Sequence, residues 1–306
     1  MQDRKPVSVI LDTDMGPDCD DAGALAVLHK LADTGEARIL AIGHCTSNPY
    51  GAGCIDAINR YYRRPDIPVG TSKREGFLVG SEYEKYNRYI TEHYGNAFRS
   101  KPAPDAVALY RRILSEQPDG NIEVISIGPM VNLADLLVSP PDGYSSLPGS
   151  LLVAKKVNRL VAMAGCFQAD ENGRLQKEWN VAMDVPAAQA VFQQWPSPIV
   201  CCGLEVGTEV ITGKELMEKG GADNPVRKAY ELYTAGAGRS SWDLITVVYA
   251  VRGTCGMWAL SPRGKIIVDE AGITHFAEDE RGLHQYLKSV VSADIVARYL
   301  EELLIS

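Results

Sequence analysis

Apolar and polar positions along this chain alternate between two periods. Residues 7–13, "VSVILDT", form a β-branched, almost unbroken apolar run bounded by turn residues, which predicts a buried strand. Residues 20–32, "DDAGALAVLHKLA", then set apolar side chains at helical spacing behind two aspartates. The alternation continues with a strand at 37–46, a helix at 51–64, a strand at 67–71, a helix at 105–117, a strand at 121–128 and a helix at 131–138. Further buried strands are predicted at 159–165 and 198–203, with a helix at 185–195 between them. After residue 210 the pattern reads as mostly helical, with an apolar helix over 243–253 and an amphipathic one over 292–304. This βαβ rhythm predicts an α/β fold: an open, Rossmann-like, mostly parallel sheet flanked by helices.

One stretch breaks the rhythm. Residues 72–104 are polar and tyrosine-rich with weak helical periodicity, and read as a lid or insertion outside the core. No repeat, low-complexity segment or linker divides the chain, so 1–306 is expected to form one domain. The composition, 45% hydrophobic and 23% charged, is that of an ordinary globular protein. A net charge of −8 without a basic run argues against nucleic acid or an anionic membrane as partner, and makes a small molecule the better expectation. The seven cysteines lack a C-x-x-C spacing and read as buried thiols in a reducing compartment. No apolar run reaches the ~18 residues of a membrane helix. The first strand begins too early to leave room for a signal peptide, so a cytoplasmic protein is expected, exported only if an upstream signal has been removed.

The densest chemistry is "LDTDMGPDCDDAGAL", residues 11–25, with five aspartates in ten positions directly after the first strand. In open parallel sheets ligands bind beyond the carboxyl ends of the strands, where these aspartates fall. Asp20 or Asp21 could simply cap the helix that follows. That explains one residue; five carboxylates so close must protonate or share a cation. An all-oxygen donor set without a His or Cys cluster suits Ca²⁺ or Mg²⁺ and disfavours zinc. The Asp12 and Asp14 spacing also fits a Mg²⁺ phosphatase, although the following Met15 and Gly16 depart from that motif and Asp18, Asp20 and Asp21 go unexplained by it.

"ILDTDMGPDCDDAGAL" resembles the N-terminal fingerprint of the inosine-uridine preferring nucleoside hydrolases, D-x-D-P-G-x-D-D-A, with a two-residue insertion that makes Asp20 and Asp21 the closing pair. Further segments resemble the family in order: Asn48 in "HCTSNPYG", the turn "SIGPMVNLADL", Met163 in "AMAG", Asn172, "EWN" (Glu178 to Asn180) with Asp184, and "SSWDLITVVYAV". The resemblance implies the nucleoside hydrolase fold and a calcium-dependent N-ribohydrolase that splits a nucleoside or related N-riboside into ribose and base. Asp14, Asp21, Asp243 and the Met130 carbonyl would hold Ca²⁺, and Asp14 would be the general base for a calcium-bound water. Asp20, Asn48, Met163, Asn172, Glu178, Asn180 and Trp242 would contact the substrate. A homo-oligomer, dimer or tetramer, is expected on the same ground. On local pattern alone Asn172 is a turn residue, Met163 a core residue, Asp243 a helix cap and Asp12 a residue that orders its loop.

Trp242 stands where many relatives carry a histidine that protonates the departing base. An indole N–H does not titrate near neutrality, so this chain must do otherwise. Either Trp242, with Trp179 or the tyrosines of 83–94, stacks on the base, or an acid comes from the 72–104 stretch or the end of the second strand. Tyr83, Tyr86, His93, Glu82 and His44 are the candidates. A rival expectation is a nucleoside- or ribose-binding protein that has lost turnover through this change.

Overall fold

The computed structural model describes residues 5–305; residues 1–4, on which the expectation about the N-terminus falls in part, lie outside the described residues. Its strands are β1 (Val7–Thr13), β2 (Ala37–His44), β3 (Val69–Thr71), β4 (Ile122–Ser126), β5 (Val157–Met163), β6 (Ile199–Cys202), β7 (Ile211–Thr212), β8 (Arg239–Ser240), β9 (Trp258–Leu260), β10 (Gly264–Val268), β11 (Thr274–Glu278) and β12 (His284–Ser289). The main sheet runs β11-β10-β12-β6-β5-β4-β1-β2-β3, with β9 also paired to β12. From β3 through β12 the neighbours are parallel; β9, β10 and β11 are antiparallel additions at one side. The order β3-β2-β1-β4-β5-β6 reverses direction at β1 and β4, and such a reversal opens a crevice beyond the strand ends.

Strand β1 shows why both faces are covered. Its alternation sends Val9 and Leu11 to one apolar layer and Ile10 to the other. The first layer packs under helices Asp20–Asp33, Gly51–Tyr61, Trp242–Arg252 and Ala293–Ile305, through Leu25, Ile55, Val248 and Leu300. The second packs under Ala106–Glu116, Val131–Val138, Gly149–Lys156 and Val185–Gln194, through Leu109, Leu133, Leu152 and Val191. Each fully buried Leu, Ile or Val contributes roughly 1.5–3 kcal/mol, and the two layers hold the strand ends rigid against the charge that collects there. Caps fix the helix starts: Asp105 accepts from the Val107 N–H, Asp184 from Ala187, and Asn224 from Val226 ahead of Pro225.

Two expectations are corrected. The chain after residue 210 is not mostly helical, since β9 to β12 occupy much of 258–289. In β10 buried Gly264, Ile266 and Val268 alternate with exposed Lys265 and Ile267, and Asp269 closes the hairpin by accepting the Ala271 and Ile273 N–H groups at 2.9 Å. That period of two lasts only five residues between charged turns, too short to stand out in the pattern. The 72–104 stretch is not wholly outside the core either. It contains a 3₁₀ turn, Ser81–Tyr83, and the helix Asn87–His93, and it buries Tyr86, Asn87 and Ile90 completely. Among the described residues no helix is long and apolar enough to cross a membrane, and no two cysteines are bonded; six are buried, whereas Cys255 is exposed.

Candidate active site

The crevice at the reversal is a cavity of about 510 Å³. Asp14, Pro17, Asp18, Asp20 and Asp21 reach it from the turn after β1, Ile127 from the end of β4, and Met163 from the end of β5. Glu178, Trp179 and Asn180 enter from the start of a short helix, and Arg239, Trp242 and Asp243 from β8 and the helix behind it. Backbone bonds fix the rim: the Ile127 N–H donates to the Asp12 carbonyl and the Cys45 N–H to Thr13, both at 2.8 Å. Gly128 lets the β4 loop close on Asp14, because a Cβ there would lie 2.8 Å from the Asp14 nitrogen.

The turn buries four of its five carboxylates: Asp12, Asp14, Asp20 and Asp21 are each at most 4% exposed. Carboxylate oxygens of Asp20, Asp21 and Asp243 come within 4.8 Å of one another. At that spacing an effective dielectric near 20 gives a repulsion of about 3 kcal/mol per ionised pair, roughly 10 kcal/mol for three pairs. That equals the whole stability of a typical domain, so the cluster must take up protons or a cation. Consistently, burial first and the neighbouring carboxylates second push Asp21 and Asp243 well above the usual range; for Asp20 burial and the Asp18 charge do so. Burial, with the Asp18 charge adding, raises Asp14 to about 7 against hydrogen bonds from its own backbone, Trp179 and Asp21. Thr13 donates its hydroxyl to Asp21, and the Asp243 N–H donates to Asp20 at 3.2 Å, so the turn and the late helix are tied through the cluster itself.

Beside the cluster, Glu178 caps its helix and accepts the N–H groups of Asn180 (2.7 Å), Val181 (3.1 Å) and Gly165 (3.1 Å). Burial nevertheless raises it to about 7. The Asn180 amide donates to the Met163 carbonyl at 3.0 Å, which joins the two residues in one wall. Aromatic rings make much of the remainder: Tyr83 and Trp179 stand 6.4 Å apart, and Trp242 lies across from Leu204 with its Nε1–H given to the Leu204 carbonyl at 2.7 Å. Gly207 leaves room for that ring, since a Cβ there would meet Trp242 at 2.5 Å.

Other expected site residues lie elsewhere. Asn172 is exposed in the turn 170–173, held by its N–H to Asp170 at 2.9 Å, and is not at the cavity. His93 sits at the exposed end of its helix, stacked on Tyr89 at 4.1 Å. Tyr86 faces inward and donates to the Asp18 carbonyl at 2.7 Å; it anchors the turn instead of lining the cavity. His44 is fully buried, pushed down to about 4 by burial, and bonded to Thr46 and Thr71. Asn48 is buried outside the lining, accepting from Tyr50 and Asn87 with its own Nδ2 unpartnered. Met130 is buried at the start of its helix, where its carbonyl accepts the Ala134 N–H at 2.9 Å, and Ile127 makes the cavity wall there. The carboxylate triad includes Asp20 where the resemblance implied Asp14, although Asp14 shares the cavity.

Sequence reasoning passed over Arg239. Its Nε and Nη2 donate to Asp18, and its guanidinium carbon lies 5.0 Å from the Trp242 ring centre and 5.5 Å from that of Tyr233. The available signal was the arginine in "AGAGRSSWD", between a glycine turn and Asp243.

Residues 9–291 match the family model described as inosine-uridine preferring nucleoside hydrolase. A probable uridine nucleosidase 2 from Oryza sativa subsp. japonica is 27% identical over 218 residues, which cover 69% of this chain and 60% of that protein. The match therefore spans about three-fifths of the relative's length. Among solved structures, the plant nucleoside hydrolase PpNRh1 superposes with a TM-score of 0.73 at 22% identity, covering 98% of this chain and 99% of its own. The type III effector XopQ, solved with adenosine diphosphate ribose, also gives 0.73, at 16% identity, 99% of this chain and 94% of its own. At such identities these structures speak for the fold.

Proposed function

Because this chain belongs to the inosine-uridine preferring nucleoside hydrolase family, we propose that it hydrolyses the N-glycosidic bond of a ribonucleoside or related N-riboside, releasing ribose and the free base. The observation that carries this is the buried carboxylate triad Asp20, Asp21 and Asp243 beside Asp14, opening into a cavity with aromatic walls at the sheet's reversal. Breaking the bond from C1′ to the base nitrogen builds positive charge on the ribose ring, and carboxylates fixed around the sugar stabilise it.

The donor set also fits calcium: the triad consists of buried oxygens whose mutual repulsion calls for a cation, with no His or Cys among them. In our reading Asp21 and Asp243 hold the ion together with Asp20 or Asp14, and the Met130 carbonyl contributes the lone pair its helix does not use. Calcium, when bound, supplies a hard Lewis acid that orients oxygen ligands and makes water easier to deprotonate. Asp14, which shares the cavity with the triad, takes the proton from the attacking water. Glu178 and Asn180 hydrogen-bond the sugar hydroxyls, and Met163 closes the wall beneath them. Trp179, Tyr83 and Trp242 enclose the base.

The test is ribose release from a panel of nucleosides in the presence of calcium. Asp14→Ala should lower turnover by about 10³-fold or more and weaken calcium binding; full activity would remove Asp14 from the base role. The rival binding role draws on one observation, the engagement of the Trp242 N–H with Leu204, which leaves no acid at that position. A protein of that kind would gain thermal stability with ribose or nucleoside while releasing no sugar. The phosphatase alternative is disfavoured because Asp12, its required nucleophile, is completely buried, bonded to Tyr110 and Asn132, and absent from the cavity wall.

A further inference from the structure

The electron pair of the broken glycosidic bond must go onto the base; of the acid candidates the sequence offered only exposed Glu82 and half-buried Tyr83 line the cavity, and Glu178 is engaged by three backbone N–H groups. None of the five histidines lines the cavity, and the Trp242 N–H is spent on a carbonyl. Two cationic side chains do line it, Lys85 and Arg239. Lys85 is exposed on the mouth, a flexible ammonium on a long stem. Arg239 is different in kind. Asp18 accepts from its Nε at 2.9 and 3.0 Å and also from Nη2, so one edge of the guanidinium fork is fixed. Its guanidinium carbon also lies over the Trp242 and Tyr233 rings, which helps to order it. Nη1 has no protein hydrogen bond among the described residues, so its two N–H groups remain for a ligand.

We propose that Arg239 is a catalytic residue for the leaving group: it donates charge-assisted hydrogen bonds to the departing base, which leaves as its anion instead of being protonated in place. This rests on the N-ribohydrolase reading above. The C1′–N electron pair goes to the base nitrogen, the water oxygen bonds to C1′, and the water's proton goes to Asp14. The base anion, held by Arg239, takes a proton from solvent after it departs. A guanidinium does not titrate in the working range, so it stabilises negative charge without ever supplying the proton. Asp18 is the positioning residue. Asp20 also attracts Arg239, and without Asp18 the guanidinium would turn toward the carboxylates that the sugar needs. The indole of Trp242 is the surface on which the cation rests, which gives this tryptophan a task besides enclosing the base.

The experiment compares Arg239→Gln, Arg239→Lys and Asp18→Asn with the wild type on uridine, inosine and p-nitrophenyl riboside, whose phenolate leaves without help. Arg239→Gln should lower kcat on the nucleosides by about 100-fold, the usual loss for one donor to a developing anion, with little change in KM. On p-nitrophenyl riboside it should lose no more than about fivefold, and Arg239→Lys should restore part of the nucleoside rate. The wild-type nucleoside rate should show no alkaline limb between about pH 7 and 10 that p-nitrophenyl riboside lacks. Calcium-dependent thermal shifts, measured on every variant, identify any that fold incorrectly, and Arg239→Lys then carries the test. Equal losses on both substrate types, or an alkaline limb confined to nucleosides, overturns the assignment. Turnover of p-nitrophenyl riboside with an undiminished nucleoside rate in Arg239→Gln overturns it while the hydrolase reading stands. No ribose release by the wild type from any substrate overturns both.

Discussion

Trp242 supports three things at once: its N–H is bound to Leu204, its face carries Arg239, and its carbonyl accepts from the Cys202 thiol. Trp242→Ala should therefore lower kcat for purine nucleosides far more than for p-nitrophenyl riboside, by roughly 10- to 100-fold against a few-fold, in steady-state assays. Equal losses would point instead to displacement of the adjacent Asp243. At this scale the residues the sequence revealed are those whose presence is hard to explain otherwise. Asp14, Asp20 and Asp21 line the cavity, and carboxylates in tandem at a strand end need a reason to be there; Asp243, Glu178 and Asn180, which the family resemblance implied, line it too. Asp18 and Arg239 were illegible as a pair, since 221 positions separate them and no spacing rule connects such partners. Asn172 and His93 drew attention by spacing and by residue type, and the fold sends both to the surface.

The element that joins wall to core is the stretch from the 3₁₀ turn Ser81–Tyr83 to the helix Asn87–His93. Glu82, Tyr83 and Lys85 face the cavity, while Tyr86, one position on, is buried and bonded to the Asp18 carbonyl, and Asn87 donates to the Met15 carbonyl at 3.3 Å. Its two halves thus belong to different environments, which is why its periodicity was weak in the sequence. Tyr86→Phe should destabilise the protein by about 1–2 kcal/mol in urea denaturation, as the Asp18 carbonyl loses its donor. It should also raise KM, because the aromatic wall loses its anchor; an unchanged midpoint and KM would deny the anchoring role. The βαβ portion was legible because each buried parallel strand is a continuous apolar run, whereas β9 to β12 are short, half exposed and interrupted by charged turns.

Across the whole molecule, the sheet order converts this chain's acidity into a local demand for cations. Asp12, Asp14 and Glu178 are all raised by burial to about 7, and burial also holds the triad well above the usual carboxylate range. A carboxyl held above its unfolded value of about 4 stabilises the fold fully at low pH, and that contribution is lost as pH rises toward 7. Chelator-treated protein should therefore show a falling Tm between about pH 5 and 8 in scanning calorimetry. Added calcium should raise Tm more at pH 8 than at pH 5, where protons compete for the same oxygens. A pH-independent Tm, or a calcium shift larger at pH 5, would contradict the buried cluster. The arrangement has a further consequence for how the protein is made. Asp243 reaches Asp20 across 223 positions, so a nascent chain leaving the ribosome carries the acidic turn long before its third carboxylate exists. The carboxylate cluster is completed only once most of the polypeptide has been synthesised, so any metal it takes up in the proposed role is captured among the last steps of biogenesis.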